Sequence, residues 1–340
     1  MSEDLRVGQL FLLGLKDDVL GSDDAGGIRT YHFGSVWFTE TTSVGADGVR
    51  SVAGQVQALA PDATASVGFL VGANQEGGLI QALRGPGFST MPTAVDQGRL
   101  PPSTLRHDAE RWGRELGAAG VNLNFAPVMD VVPAGTESSN QPIGVLKREY
   151  GTDPSTVSRE GTAFLRGMER AGVATTAKHF PGLGRVVGNT DDVAGVVDDV
   201  TTADDPNLQT FRDAVGAGVP FVMVALARYT KIDPDHLAVF SSTVMGQVLR
   251  TDLGFNGVVV SDDMGAAKAV SDMAPADRAV DFLEAGGNMI ISKTLDPAAE
   301  MAAAVASKAA DDPNFRGLVD SAALRVLVAK QAQGLLPCGG

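Results

Sequence analysis

Short apolar runs alternate with longer segments of helical periodicity along the whole chain. The apolar runs are rich in β-branched or aromatic residues, and their lengths are typical of buried strands. Most of them are continuously apolar rather than alternating, which is typical of parallel strands covered on both faces. We predict eight strands, at residues 7–15, 35–39, 67–73, 121–129, 173–180, 221–226, 257–261 and 288–292.

The segments between the runs have the start and stop signals of helices. Asp153 supplies a capping carboxylate, and Pro154 follows at the first helical position. Apolar residues then recur at helical spacing until Gly172, which is a typical helix terminator. We predict further helices at residues 105–119, 206–216, 242–253, 297–309 and 316–333.

Repeated strand–helix units predict an α/β protein, and the number of units favours a (β/α)8 TIM-type barrel. No linker, low-complexity tract or charge block divides the sequence, so we expect one barrel domain over residues 1–340. A doubly wound sheet is the alternative architecture. The chain contains neither a Gly-x-Gly-x-x-Gly motif after an early strand nor a P-loop pattern, which makes the alternative less favoured.

The charge of the chain argues against two classes of partner. The formal net charge is −14, whereas binding to nucleic acid or to anionic membranes needs a surplus of Lys and Arg. No apolar run approaches the length of about 18 residues that a membrane span requires. The single cysteine, Cys338, allows no intrachain disulfide.

The N-terminus lacks a basic region followed by an apolar one, so we expect a cytoplasmic protein. An exported form whose signal has been removed is the alternative.

Polar residues follow four of the predicted strands at the point where each strand ends. In a barrel of this type the active site lies at the carboxyl ends of the strands. We therefore expect a functional site at this rim, built from Asn74, Asp130, the pair Lys178 and His179, and Asp262.

Asp262 directly follows the apolar run GVVVS and is the candidate for a fixed carboxylate in the barrel mouth. Its alternative role is a helix cap, although the adjacent Asp263 could take that role instead. The loop at residues 182–192 supplies a second carboxylate, Asp191 or Asp192, and its glycines suggest mobility. Two carboxylates, one fixed and one on a closing loop, are what glycoside hydrolysis requires.

Lys178 and His179 could donate hydrogen bonds to sugar oxygens, and a cation near the nucleophile favours its charged form. Other roles are open for each of them. His179 could be a core histidine bonded to backbone, and Lys178 could be a solvated strand end or the Schiff-base lysine of an aldolase.

Several segments in chain order resemble glycoside hydrolase family 3, and specifically its single-domain β-N-acetylhexosaminidase branch. The spacing of the KHFPG and SDD segments is the most specific part of the resemblance. The matching segments are VGQLFLLG (7–14), NQEGGLIQALRGPGFSTMP (74–92), NFAPVMDV (124–131), REYGTDP (148–154), AKHFPGLG (177–184), FVMVALARYTKID (221–233) and LGFNGVVVSDDM (253–264).

The resemblance implies a role for each matching residue. Asp262 matches the family nucleophile, which implies a retaining mechanism through a glycosyl-enzyme intermediate. Lys178, His179 and Arg148 match positions that hold the sugar in the first subsite, and Asp130 matches an acidic position with a structural role. No metal or organic cofactor is implied.

The chain departs from the family pattern at functional positions. The family's mobile loop carries an Asp-x-His dyad whose histidine is the acid/base. Here Asn189 stands at the aspartate position and Asp191 at the histidine position. Asn74 replaces an aspartate that grips sugar hydroxyls. Ala82 replaces an arginine, for which the nearby Arg84 could substitute.

The sequence therefore predicts a retaining exo-glycoside hydrolase with Asp262 as the nucleophile. Asp191 is the expected acid/base, with Asp192 as the second candidate. The expected substrate is a small carbohydrate, a β-N-acetylglucosaminide from the cell wall or from recycled amino-sugar fragments. A β-glucosidase or other β-glycosidase specificity is one alternative, and a catalytically silent carbohydrate-binding barrel is another.

Overall fold

Eight parallel strands close into a barrel in the computed structural model, which describes residues 1–337. Cys338 lies outside the described residues. The strands are β1 (Phe11–Leu15), β2 (Ser35–Phe38), β3 (Leu70–Ala73), β4 (Leu123–Asn124), β5 (Ala174–Phe180), β6 (Phe221–Val224), β7 (Val258–Asp263) and β8 (Met289–Ser292). Neighbouring strands pair in the order β1-β8-β7-β6-β5-β4-β3-β2, and β2 pairs with β1 to close the ring.

Helices surround the barrel and connect its strands. Besides the α-helices, a π-helix spans Thr243–Asp252, and a 3-10 turn at Pro206–Leu208 leads into α8. Two further pairs of short strands lie in the loops above the barrel. The α-helices are α1 (Glu3–Gln9), α2 (Ser22–Tyr31), α3 (Gly45–Gln57), α4 (Ala60–Ala63), α5 (Ala94–Gln97), α6 (Pro102–Ala118), α7 (Pro154–Arg170), α8 (Gln209–Gly216), α9 (Pro275–Glu284), α10 (Leu295–Asp311) and α11 (Pro313–Ala332).

The predicted TIM-type barrel is confirmed, and the helix predicted after Asp153 begins at Pro154 as expected. The Asp153 carboxylate accepts a hydrogen bond from the backbone N–H of Thr156, which satisfies a donor at the helix start.

Several strand predictions were too long, most of all those at 7–15 and 121–129. The run at 7–15 begins inside α1, because the Ser2 side chain caps that helix and its first turn is acidic. Strand β1 therefore starts only at Phe11. In the run at 121–129, regular pairing stops after Asn124, and Pro127 lacks the N–H group that a ladder needs.

The barrel interior is apolar and is closed from below by the C-terminal helix. Inward-facing side chains such as Leu12, Phe125 and Met289 form one buried cluster, which includes Val326 of α11. Leu335, beyond the end of α11, accepts a hydrogen bond from the N–H of Gly68 just before β3. Because α11 covers the lower end, we expect a ligand site at the carboxyl ends of the strands, where the sites of such barrels lie.

A buried lysine fastens α11 to this lower end. The Lys330 ammonium group donates to the Gln9 side-chain oxygen at 2.7 Å and to the Gly34 carbonyl at 2.6 Å. Neither partner is charged, so burial lowers the pKa of Lys330 to about 7.

No helix among residues 1–337 combines the length and the apolar character needed to cross a membrane.

We predict that Lys330 makes the free energy of unfolding rise with pH. Its folded pKa, about 7, lies below its ordinary value of 10.5, so between these values the unfolded chain binds more protons than the folded one. Stability should therefore increase by on the order of 2 kcal/mol between about pH 7 and pH 9. Denaturant titrations at several pH values measure the slope of the free energy of unfolding against pH. This slope should be smaller in Lys330→Met than in the wild type.

The exposed Lys231→Met variant is the matched control and should keep the wild-type slope. The same slope in Lys330→Met would contradict the assignment.

Candidate active site

A pocket of about 410 Å³ opens at the carboxyl ends of the barrel strands. Its apolar walls are Trp37, Phe125, Met223 and Ile291. A larger groove of about 970 Å³ runs along the outer faces of α6, α7 and α8, but none of the predicted site residues lines it. The smaller pocket is therefore the candidate active site.

Glu76 is the centre of an ion-pair cluster beneath the pocket. Its carboxylate accepts two hydrogen bonds from the Arg148 guanidinium, both at 2.8 Å, in a bidentate arrangement. The Lys178 ammonium group lies 2.6 Å from the same carboxylate. Glu76 and Lys178 are almost fully buried, so this cluster fixes the two cations that line the pocket.

The charges of the cluster support one another. Burial alone would raise the pKa of Glu76, but Arg148 and Lys178 outweigh it and lower that pKa to about 2. Burial lowers the pKa of Lys178, and the contact with Glu76 opposes this shift. The short contact with ionised Glu76 favours the charged form of Lys178 at neutral pH.

Asp130 holds His179 in place rather than facing the pocket. It is fully buried, and one of its oxygens accepts from the backbone N–H groups of His179 and Leu183. The other oxygen lies 2.8 Å from His179 Nδ1. This arrangement leaves His179 Nε2, which lies 3.4 Å from an Arg148 nitrogen, on the pocket side.

Asn74 lines the pocket, whereas Arg84 does not. The Asn74 side-chain oxygen accepts a hydrogen bond of 2.7 Å from Lys178. The Arg84 guanidinium instead donates to the backbone carbonyls of Gln81 and Gly78. The expectation that Arg84 replaces the arginine missing at Ala82 is therefore wrong, because these carbonyls hold its guanidinium within its own loop.

The two carboxylates at the end of β7 have different surroundings. Asp263 Oδ1 accepts from the backbone N–H groups of Gly265 and Lys293, each at 2.8 Å, so this residue organises the turn. Asp262 is half-buried and lines the pocket. Among the described residues, its carboxylate accepts one hydrogen bond, from the backbone N–H of Asp263. Asp262 is thus available to a ligand.

The loop after β5 is anchored at its base and docked at its tip. The Asn140 side chain donates to the carbonyls of Leu183 and Val186, both at 2.7 Å. Gly184 packs so closely against Val131 that a β-carbon would meet its carbonyl oxygen at 1.8 Å. Close packing, rather than mobility, therefore explains the glycine at this position.

The loop tip places Asp191 at the pocket mouth. The carbonyls of Thr190 and Asp191 accept hydrogen bonds from the N–H groups of Ala269 and Lys268. Asn189 braces the tip from within, since its Oδ1 accepts from the Asp191 N–H and its Nδ2 donates to the Asp192 carboxylate. The structure thus brings Asp191, Asp192 and Asp262 to one pocket.

The surroundings of Asp191 favour its protonated form. The residue as a whole is exposed, but protein atoms crowd its carboxyl group. This desolvation, followed by repulsion from Asp262, Asp263 and Asp192, raises the pKa of Asp191 to about 7. A carboxyl group with such a pKa can hold and release a proton near neutrality.

Sequence reasoning did not assign a role to Glu76 or Lys293, nor did it identify the apolar walls. Glu76 had a usable signal, because an acidic residue three positions after a buried apolar strand needs cationic partners if it is buried too. Trp37 lies in a continuously apolar run, which predicts a strand but does not show which face of it points into the barrel. Its place in the pocket wall could therefore not be predicted from the sequence.

The sequence model of the glycosyl hydrolase family 3 N terminal domain matches residues 4–328. A crystal structure of a β-N-acetylhexosaminidase from Beutenbergia cavernae superposes with a TM-score of 0.95 at 49% identity, covering 97% of this chain and 99% of that one.

Two bacterial proteins named beta-hexosaminidase are also similar. That of Vibrio cholerae is 37% identical over 226 residues, which is 66% of this chain and 65% of the relative. That of Stenotrophomonas maltophilia is 34% identical over 271 residues, with 75% and 76% covered. The chain thus spans about two thirds of the length of the Vibrio protein. Because the family model matches almost the entire length, the chain belongs to glycosyl hydrolase family 3.

Proposed function

We propose that the protein is a retaining β-N-acetylglucosaminidase that removes terminal sugars. The observation that carries the proposal is the shared pocket of Asp262 and Asp191, with Arg148, Lys178 and His179 along its inner side. The pocket is closed beneath by the apolar barrel interior, which suits the end of a chain rather than its middle. Relatives named for hexosaminidase activity support the amino-sugar class.

In the first step, Asp262 attacks the anomeric carbon while Asp191 donates its proton to the departing glycosidic oxygen. The bond to the aglycone breaks as the bond from Asp262 to the sugar forms. The aglycone leaves as a neutral alcohol, Asp191 becomes a carboxylate, and the sugar is held as an ester of Asp262.

In the second step, Asp191 accepts a proton from water as the water oxygen attacks the anomeric carbon. The ester bond breaks, Asp262 regains its charge, and the free sugar leaves with retained configuration. The raised pKa of Asp191 suits both halves of the cycle, because the group must be protonated first and deprotonated afterwards.

The cluster around Glu76 holds the sugar in this scheme. Arg148 and Lys178 present N–H donors to hydroxyl and acetamido oxygens, and Glu76 fixes their positions. His179 directs Nδ1 to the Asp130 carboxylate and so presents Nε2 to a sugar hydroxyl. Asn74 provides one neutral acceptor, which Lys178 already uses. A hydrogen bond from a sugar hydroxyl to Asn74 is therefore weaker than one to an aspartate by about 1–2 kcal/mol.

We expect substitutions at the two carboxylates to have different signatures. Asp262→Asn removes the nucleophile and should lower kcat by roughly 10⁴-fold or more on every substrate. Asp191→Asn should slow substrates with poor leaving groups by about 10²–10⁴-fold, because only these need a proton. Activated aryl glycosides should be affected far less in their first step, and kcat/KM, which reports the first step for both substrate classes, measures this.

Asp192→Asn is the matched control, since it removes a neighbouring carboxylate from the same loop. Equal losses on both substrate classes in Asp191→Asn, or the selective loss in Asp192→Asn instead, would contradict the assignment.

We expect activity on unactivated N-acetylglucosaminides to fall as pH rises through about 7, the pKa of Asp191. The reason is that the first step needs the protonated acid, whose fraction decreases with rising pH. Measured between about pH 5 and pH 9, kcat/KM of the wild type should fall as pH rises through about 7, and this fall should be absent in Asp191→Asn. If the same fall of kcat/KM persists in the variant, the proton donor is another group.

We expect water, rather than phosphate, to accept the sugar. A phosphate ion approaching the ester would meet Asp191 in its carboxylate form, together with Asp192 and Asp263, and like charges repel. Product analysis in phosphate buffer should give the free sugar. A dominant sugar 1-phosphate would overturn this prediction.

A further inference from the structure

The cations that line the pocket each have a carboxylate partner. Arg148 and Lys178 share Glu76, as described above. Lys293, at the rim beyond β8, lies with its ammonium group 3.0 Å from Glu40 Oε1. The positive charge of each is therefore largely compensated before any ligand arrives.

The pocket carboxylates lack such partners. No Lys, Arg or His nitrogen in residues 1–337 lies within ion-pair distance of any of the four. Two of them lie at the end of β7 and two on the loop tip. They are Asp191, Asp192, Asp262 and Asp263.

The aglycone of a bound substrate would lie near the uncompensated charge of Asp192, since Asp191 on the same loop tip is protonated at this stage. Its glycosidic oxygen faces Asp191, so the rest of the aglycone extends through the open mouth of the pocket. The lining residues exposed there include Asp192 and Ala266, and Lys293 is 39% exposed beside Glu40. The sugar behind Asp191 is held by Arg148 and Lys178, whose charges Glu76 already compensates.

We propose that this mouth selects neutral or cationic aglycones and discriminates against those that carry a carboxylate or phosphate. The inference rests on the proposed function and adds a substrate class to it. The favoured substrates are N-acetylglucosaminides whose next unit is a neutral sugar or an amino sugar with a free ammonium group. The disfavoured ones carry an acidic substituent next to the scissile bond.

Two residues set this selectivity. Asp192 contributes an exposed negative charge at the mouth. Glu40 acts through Lys293, because it pairs with this pocket-lining lysine, which could otherwise attract an acidic aglycone. Neither residue takes part in bond breaking, so both act on specificity rather than on the chemistry.

The test compares disaccharides that share the N-acetylglucosamine glycone and a β-1,4 bond. The second unit is N-acetylglucosamine, glucosamine, N-acetylmuramic acid, or N-acetylmuramic acid with its carboxyl group converted to a methyl ester. The ester keeps the bulk of the acid but not its charge. Values of kcat/KM are measured for all four at low and high salt.

We expect the acid to be cleaved about tenfold more slowly than its ester, and the gap to shrink at high salt because exposed charges are screened. Glucosamine should be at least as good an aglycone as N-acetylglucosamine at low salt. Asp192→Asn and Glu40→Gln should each raise the ratio of acid to ester by about two- to fivefold.

Asp62→Asn is the matched control. It removes the same charge from an exposed residue of α4, which precedes β3 and lies at the opposite end of the barrel. Its ratio of acid to ester should equal that of the wild type. Each readout is the ratio of kcat/KM on the acid to kcat/KM on the ester for the same variant. A partial loss of folded enzyme lowers both values equally and leaves the ratio unchanged.

The outcomes separate this inference from the function on which it rests. Failure to cleave any of the four disaccharides would overturn the proposed function. Cleavage of the neutral substrates with equal rates on acid and ester, or an ester as poor as the acid, would overturn the charge selectivity alone. A salt-independent gap, or a control variant that shifts the ratio as much as Asp192→Asn, would also overturn it.

Discussion

The buried ion-pair cluster around Glu76 is the interaction on which the pocket depends. It joins the loop after β3 to the segment at Arg148 and to the end of β5, which carries Lys178. A buried charge without partners costs several kcal/mol, so removal of Glu76 would leave both cations without their shared carboxylate. Because each side chain is fixed by the others, their donors are already oriented when a sugar enters, and little further ordering is required.

The loop tip shows how several departures from the family pattern fit together. Asn189 donates to Asp192 and accepts from the backbone of Asp191, and an aspartate in its place would put two carboxylates in contact. Asp191 in turn needs no orienting partner to be protonated, because crowding and nearby carboxylates raise its pKa. A histidine acid/base is oriented by hydrogen bonding to its second nitrogen, whereas the proposed acid/base role of Asp191 depends on the electrostatics of the pocket mouth.

The sequence predicted the barrel because each strand is a continuous apolar run and each helix has local start and stop signals. The ends of β1 and β4 were harder to predict, because the apolar pattern continues past them. A helix capped by Ser2 takes the first part of the run at 7–15, and strand pairing is lost before Pro127. Strand-end logic placed Asp262 and Lys178 at one rim. It could not show that Arg84 is held by backbone carbonyls, nor that Lys293 is paired with Glu40, because both depend on loop conformations without sequence periodicity.

In the proposed mechanism, Asp262 becomes covalently bonded to the sugar during turnover. Mass spectrometry of the intact and digested protein detects this bond after incubation with a 5-fluoro N-acetylglucosaminyl fluoride, which slows release of the intermediate. We expect one added glycosyl group, located on the peptide that contains Asp262. A protein that binds the sugar but forms no adduct, or an adduct on a different residue, would contradict it.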